Sequence, residues 1–114
     1  MEYDEKGKDY NGLNVSFQST SPYRMWSVAI SYPGDINTPL DIFKDFEDAG
    51  WEKFCFNLKH QERKEVFYSK KGTSVFGGWS AEEYDENLKE AREILAKHGI
   101  TDVPMVKLQW RDLL

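Results

Sequence analysis

The sequence has few of the features that restrict a protein to one compartment or scaffold. Cys55 is the one cysteine among 114 residues, so no intramolecular disulfide can form. No stretch approaches the roughly 18 apolar residues that a membrane span needs. Residues 1–12 mix acids with lysines and lack the apolar centre of a signal peptide. We therefore expect a cytoplasmic protein that has no disulfide framework and does not insert in a membrane.

Motifs for catalysis and for metal binding are also missing. Neither His60 nor His98 has a partner at metal-ligand spacing, and no Gly-x-Ser-x-Gly sequence or phosphate loop occurs. Cys55 stands between Phe54 and Phe56, a context more typical of a packed thiol than of a nucleophile. We accordingly predict no catalytic residue, no metal site and no cofactor.

The chain nevertheless has the composition of a folded protein, with 39% hydrophobic and 31% charged residues. Its length corresponds to one domain with one core. Residues 1–12 show no hydrophobic period, and they are predicted to form a mobile N-terminal arm. Residues 13–114 are predicted to form a single α+β domain.

Strands are indicated by apolar residues at every second position. Leu13, Val15 and Phe17 alternate with polar residues, and a second run follows the turn-rich Ser19-Thr20-Ser21-Pro22, which predicts a hairpin. Further strands are predicted at 53–58, 66–68 and 106–110. The residues expected on the buried face of these later strands and of the second run are Trp26, Val28, Ile30, Phe54, Phe56, Leu58, Val106, Leu108 and Trp110.

Two helices are indicated by caps. Thr38 and Ser80 each precede a carboxylate by three residues, which is the sequence of a capping box. The first helix is predicted from Thr38 and Pro39 to a left-handed glycine at Gly50. The second has Trp79 and Tyr84 at the positions of a hydrophobic staple, and apolar residues continue along one face.

From residue 25 the order is strand, helix, strand, strand, helix, strand. This order predicts a ferredoxin-like βαββαβ antiparallel sheet with two helices on one face and an extra N-terminal strand. The opposite face would then be small and polar, and it is a candidate contact surface. Its candidate residues are Ser27, Ala29, Ser31, Asn57 and Lys107.

Charge is unevenly distributed along the chain, whose net charge is −5. A basic hairpin is predicted as a partner-binding surface, and its residues are Lys59, Arg63, Lys64, Lys70 and Lys71. An acidic surface on the second helix comprises Glu82, Glu83, Glu86 and Glu90. The sheet lacks the Lys/Arg-Gly-aromatic signature of RNA-recognition domains, with Lys64-Glu65-Val66-Phe67-Tyr68 in its place, so direct nucleic-acid binding is not expected.

The leading hypothesis is a small non-catalytic binding module that acts on a protein partner, as an inhibitor, an immunity-type factor or a regulatory accessory protein. A second hypothesis is a homodimer that senses a small ligand, or acts as a cofactor-free enzyme, through a pocket at the sheet face. A third is an acidic mimic of nucleic acid that blocks a nucleic-acid-binding enzyme.

Overall fold

A computed structural model describes residues 8–10, 12–20, 25–35, 40–56, 63–73 and 78–107. It confirms an α+β chain with one mixed sheet and two helices. The elements are β1 (Lys8–Tyr10), β2 (Leu13–Thr20), β3 (Met25–Pro33), α1 (Asp41–Asp48), β4 (Glu52–Phe56), β5 (Arg63–Ser69), α2 (Ala81–Lys97) and β6 (Met105–Lys107).

The sheet has the order β1-β2-β3-β5-β4, and β6 also pairs with β2. β2 and β3 form the predicted antiparallel hairpin, from Asn14 opposite Ser31 to Thr20 opposite Met25. The other edge of β2 is shared, because β1 pairs with residues 13–15 and β6 pairs in parallel with residues 17–19. The six strands therefore occupy five positions.

This strand order differs from the predicted ferredoxin-like order. The unit β3-α1-β4 keeps the split arrangement, with β5 antiparallel to both strands and between them. A ferredoxin-like sheet would place the last strand beside β3, but β2 occupies that position. The reason is local: a short connection closes the β2–β3 hairpin, which costs less chain entropy than the distant pairing of β3 with β6. β6 therefore pairs with the outer edge of β2. Just before β6, the Pro104 carbonyl accepts a hydrogen bond from the Phe17 amide at 2.9 Å.

Part of the predicted mobile arm belongs to the sheet. Lys8–Tyr10, which fall within the predicted arm, form β1, and residues 1–7 lie outside the described part of the chain. The backbone of Gly12 has a positive φ of 90°, which permits the tight turn between β1 and β2. The Tyr10 hydroxyl also donates a hydrogen bond to the Thr101 carbonyl.

The caps of α2 agree with the prediction. The Ser80 hydroxyl accepts from the Glu83 amide at 3.1 Å, and the Glu83 carboxylate accepts from the Ser80 amide at 2.9 Å. Trp79 and Tyr84 form the staple, with ring centroids 6.3 Å apart. At the other end, Gly99 has a positive φ of 74° and the Ile100 amide donates to the Leu95 carbonyl, as in a Schellman motif.

The start of α1 differs from the prediction, while its end agrees. The N-cap is Leu40, without a side-chain cap, so the predicted capping box of Thr38 with Asp41 is wrong; Thr38 itself lies outside the described residues. Asp41 is the first helical residue, and its carboxylate complements the helix dipole from there. Gly50 has the expected positive φ, of 92°.

One hydrophobic core lies between the sheet and both helices. Phe43 and Phe46 of α1 contact the Tyr68 ring, and Arg92 of α2 lies over the Phe17 ring. The predicted core residues of β3, Trp26, Val28 and Ile30, are at most 1% exposed. The cluster consists of Val15, Phe17, Trp26, Val28, Ile30, Ile42, Phe43, Phe46, Trp51, Val66, Tyr68, Trp79, Ala91, Ile94, Leu95, Ile100 and Val103.

The register corrects the predicted faces of β4 and β6. Position 55 pairs with Val66, which belongs to the core, so positions 54 and 56 lie on the face away from the helices. Val106 pairs with Gln18 on that same face, although it is buried, and position 107 pairs with Ser19 on the helix side. Alternation alone defines two sets of positions, and the neighbouring strand decides which set faces the helices. Positions 57, 58, 108 and 110 lie outside the described residues.

Within the described part of the chain, no helix is both long and apolar enough to cross a membrane.

Candidate binding site at one end of the sheet

The predicted basic residues do not form one patch. Lys64 lies near the start of β5, whereas Lys70 and Lys71 follow its end. At a rise of about 3.3 Å per residue, Lys64 and Lys70 are roughly 20 Å apart. Arg63 is the first residue of β5, and Lys59 lies outside the described residues. Lys64 therefore lies at one end of the sheet, and Lys70 and Lys71 lie at the opposite end.

Lys70 is engaged in contacts within the fold. Its Nζ lies 2.7 Å from Glu90 Oε1 and 5.5 Å from the centroid of the Trp51 ring. Its carbonyl accepts a hydrogen bond from Trp79 Nε1 at 2.8 Å. Lys71 is exposed beside it. Any partner contact by Lys70 would have to compete with these internal contacts.

The acidic surface is also partly engaged. Glu90 accepts from Trp51 Nε1 at 2.7 Å in addition to its ion pair with Lys70. Glu83 accepts from Ser80 in the capping box and from the Thr73 hydroxyl at 2.8 Å. These hydrogen bonds lower the pKa of the Glu83 carboxyl below its ordinary value of 4.5, and the bond from the Ser80 backbone contributes most. Of the predicted acidic surface, Glu82 and Glu86 are exposed and have no hydrogen bond or ion pair with a described residue.

The predicted sheet face is less accessible than its polar composition suggested. Ser27 and Ser31 lie on the face away from the helices, as expected, and both are half-buried. Ala29 between them is 2% exposed, and its cross-strand neighbour Ser16 is 3% exposed. Ser16 also accepts a hydrogen bond from Gln18 Nε2 at 2.7 Å.

The predicted sheet-face set has two further residues. Asn57 lies outside the described residues, and position 107 is on the helix side through its pairing with Ser19. Because the centre of this face is buried at Ala29, the structure gives no support to a docking surface or a ligand pocket there.

A cavity of about 480 Å³ lies at the end of the sheet where the start of α1 and the end of α2 meet the β1–β2 turn. We call it the end cavity. Its size is within the range of small-molecule and side-chain pockets. The Schellman turn at Gly99 forms one wall, because it brings Ile100 back against the core. The cavity is lined by Tyr10, Leu13, Leu40, Asp41, Ile42, His98, Gly99 and Ile100.

The polar groups of this cavity differ in how they are engaged. His98 Nε2 lies 2.7 Å from Asp45 Oδ2, which joins the end of α2 to α1. The Tyr10 hydroxyl donates to the Thr101 carbonyl, and burial, with a smaller contribution from the Asp102 charge, raises the pKa of Tyr10 above 10.0. The exposed Asp41 carboxylate has no hydrogen bond or ion pair with a described residue.

Asp102, next to this cavity, adopts a left-handed backbone with φ of 56°. Among the described residues it is the one non-glycine residue with a positive φ, a conformation that costs about 1–2 kcal/mol. Such strain is often found beside functional sites, because the surrounding structure must hold the residue in place. The carboxylates of Asp41 and Asp102 both belong to the segments at this end of the sheet.

The arrangement is suited to binding. His98, which lines the cavity, is paired with Asp45 of α1. No group of three His, Cys, Asp or Glu residues in the described chain is placed to hold a metal ion. Four aliphatic side chains and a few polar groups instead form walls typical of a recognition pocket.

A second concave surface of about 420 Å³ lies along α2 and is shallower. Its charges are of both signs, and Arg92 extends over the Phe17 ring at 5.1 Å. Its residues are Asp85, Leu88, Lys89, Arg92, Glu93 and Ala96.

No pattern in the sequence indicated the end cavity. Tyr10 belonged to the predicted arm, Asp41 to a predicted cap, and His98 to a helix end. These residues approach one another only through tertiary structure; Tyr10 and Thr101, for example, are 91 positions apart. The glycine at position 99 after a helical pattern was the one local indication of a chain reversal here.

No protein-family model, curated protein or solved structure matches the chain.

Proposed function

We propose that this protein is a small non-catalytic binding module that acts on a protein partner, as an inhibitor, an immunity-type factor or a regulatory accessory protein. The observation that carries the proposal is the cavity at the end of the sheet, whose lining combines four aliphatic side chains with polar groups, among them the Asp41 carboxylate, which has no hydrogen bond or ion pair with a described residue. Buried pockets that receive one anchoring side chain are a common centre of protein interfaces.

The surroundings of the cavity favour a protein over a free small molecule. Lys44 and Lys97 are exposed on the two helices that border it, and Asp102 is exposed at its side. An apolar centre with a charged, solvated rim is the usual anatomy of a protein interface. The partner would therefore contact both the cavity and the exposed ends of α1 and α2.

The proposal is tested by blocking the cavity in the full chain. Leu40→Trp adds bulk to its wall, and Asp41→Arg reverses its charge. Asp48→Trp is the matched control, because Asp48 is exposed at the other end of α1 and does not line the cavity. Each tagged protein is used for affinity purification from the native source, with circular dichroism to verify folding.

We expect the same partner, in stoichiometric amount, with the wild type and Asp48→Trp, and its loss with both cavity variants. Recovery of no protein by the wild type, or undiminished recovery by both folded cavity variants, would contradict the proposal.

A second candidate function is small-ligand binding by a monomer or a homodimer, and the volume of about 480 Å³ favours it. The ligand would occupy the end cavity, since the sheet face is buried at Ala29. Native mass spectrometry distinguishes the two functions: a retained small molecule supports this candidate, and an unliganded chain opposes it.

A further inference from the structure

We infer that the end cavity receives a basic side chain, lysine or arginine, displayed by the protein partner. This inference rests on the proposed function and specifies the chemical class of the anchoring group. It depends on the aliphatic walls of the cavity together with the charge at its rim.

The walls match the stem of a long basic residue. Leu13, Leu40, Ile42 and Ile100 supply the aliphatic part of the lining. Lysine and arginine bury three or four methylene groups along apolar surface and keep the charged end at a polar rim. Burial of such a stem in a cavity lined only by polar groups would bring little favourable hydrophobic free energy.

The charges at the rim are complementary to a cation. Asp41 lines the cavity and has no ion pair with a described residue. The end of the 17-residue helix α2, whose carbonyls carry partial negative charge, also borders the cavity. These groups all favour a positive end group.

The positive groups nearby do not cancel this preference. Lys44, Lys97 and Asp102 are exposed and are not among the lining residues, and Lys64, at the same end of the sheet, does not line the cavity either. His98 is paired with Asp45 at 2.7 Å, so its charge, when present, is compensated. The start of α1 would attract an anion, but the Asp41 carboxylate occupies its first turn and repels one.

The test is a titration of the isotope-labelled full chain with blocked amino acids, followed by amide chemical shifts. The probes are the N-acetyl N-methylamides of lysine, arginine, norleucine and glutamate, and free 1,4-diaminobutane. Norleucine keeps the aliphatic stem without the charge, and the diamine represents a free polyamine. We expect the lysine or arginine probe to shift the amides of Ile42, Gly99 and Ile100 in the millimolar range.

Two variants with the same charge change are compared. Asp41→Asn should weaken the basic probe roughly tenfold, because a charge-assisted contact is lost. Asp48→Asn, at the other end of α1 and outside the cavity, should leave the affinity unchanged. Equal affinity of norleucine and lysine, or equal effects of the two variants, would overturn the inference.

Further outcomes separate this inference from the proposed function. Tighter binding of the diamine than of either blocked basic residue would point to a free amine and overturn the assignment to a protein side chain. If no basic probe binds while Leu40→Trp still abolishes partner recovery, the inference fails and the proposed function stands. If a basic probe binds but both cavity variants recover the partner normally, the proposed function fails.

Discussion

Glu90 accepts a hydrogen bond from the indole Nε1 of Trp51 at 2.7 Å, across 39 positions of sequence. The same carboxylate oxygen lies 2.7 Å from Lys70 Nζ. One side chain of α2 is therefore linked both to the segment that follows α1 and to the segment that follows β5. Trp51 is 3% exposed, so its N–H would have little access to water if Glu90 were removed.

Replacement of Glu90 should separate these two roles. Glu90→Ala should lower the free energy of unfolding by about 1–3 kcal/mol, because it leaves the Trp51 donor unsatisfied. Glu90→Gln keeps an acceptor and loses the ion pair, so it should cost about 0–1 kcal/mol. Urea unfolding measures both. Glu86→Ala, at an exposed position of the same helix, is the control and should stay within about 0.5 kcal/mol. Equal losses for Ala and Gln would contradict this role of the hydrogen bond.

Position 72 requires a glycine because the backbone of Gly78 and the Trp79 ring leave no room for a Cβ atom there. A Cβ there would lie 1.9 Å from the Gly78 carbonyl oxygen and 2.7 Å from Trp79 Cδ1, so backbone would have to move. Gly72→Ala should lower the free energy of unfolding by about 3 kcal/mol, at the upper end of overpacking costs, and should change Trp79 fluorescence.

Gly50 provides the comparison for Gly72, because a Cβ there meets nothing within 4 Å and only its positive φ is at issue. Gly50→Ala should cost about 1–2 kcal/mol, and Gly50→Asn less, since asparagine tolerates the left-handed region. A Gly72→Ala protein as stable as the wild type would show that the two segments are not in contact.

The features that sequence predicts well are those encoded within a few residues. Ser80, Glu83 and the Trp79–Tyr84 staple lie within one helical turn or so, and the structure has each of their contacts. The β2–β3 hairpin is similarly local. In such cases the interacting groups are neighbours in the chain, so bringing them together costs little chain entropy and the local sequence is enough to predict the contact.

The features that sequence missed depend on distant pairing. Nothing near Met105 indicates that it will lie beside Phe17, and this pairing changed the strand order. In β4 both alternating sets contain apolar residues, so only the pairing of position 55 with Val66 decides the face. The end cavity combines three separate segments, which is why its lining residues could not be predicted.

The burial of Ala29 can be tested with charge. Ala29 is 2% exposed on the face away from the helices, whereas Ser27 on the same strand and face is half-buried. Ala29→Glu should lower the free energy of unfolding by about 3 kcal/mol or more, because the carboxylate is desolvated without a partner. Ser27→Glu should cost clearly less, since its carboxylate can reach water. Equally small losses would mean that the face is open, and the predicted docking surface would regain support.

The contacts of Glu83 predict a dependence of stability on pH. Hydrogen bonds from Ser80 and Thr73 lower its pKa in the folded chain below the ordinary 4.5. The folded state therefore favours the charged form, and the resulting stabilisation is complete above pH 4.5 and is lost as the pH falls through the lowered pKa. We expect the unfolding free energy of Glu83→Gln to fall less steeply than that of the wild type over this range.

Urea unfolding between pH 2 and pH 7 measures this effect, and carbon-detected NMR titration gives the Glu83 pKa directly. Glu82→Gln removes the same charge from the same turn without touching the bonds from Ser80 and Thr73, so the difference between the two profiles isolates those bonds. Thr73→Ala should move the Glu83 pKa part of the way back towards 4.5, because it removes the hydroxyl donor and leaves the Ser80 amide in place. A Glu83 pKa at or above 4.5 in the wild type would refute both the cap geometry and its link to Thr73.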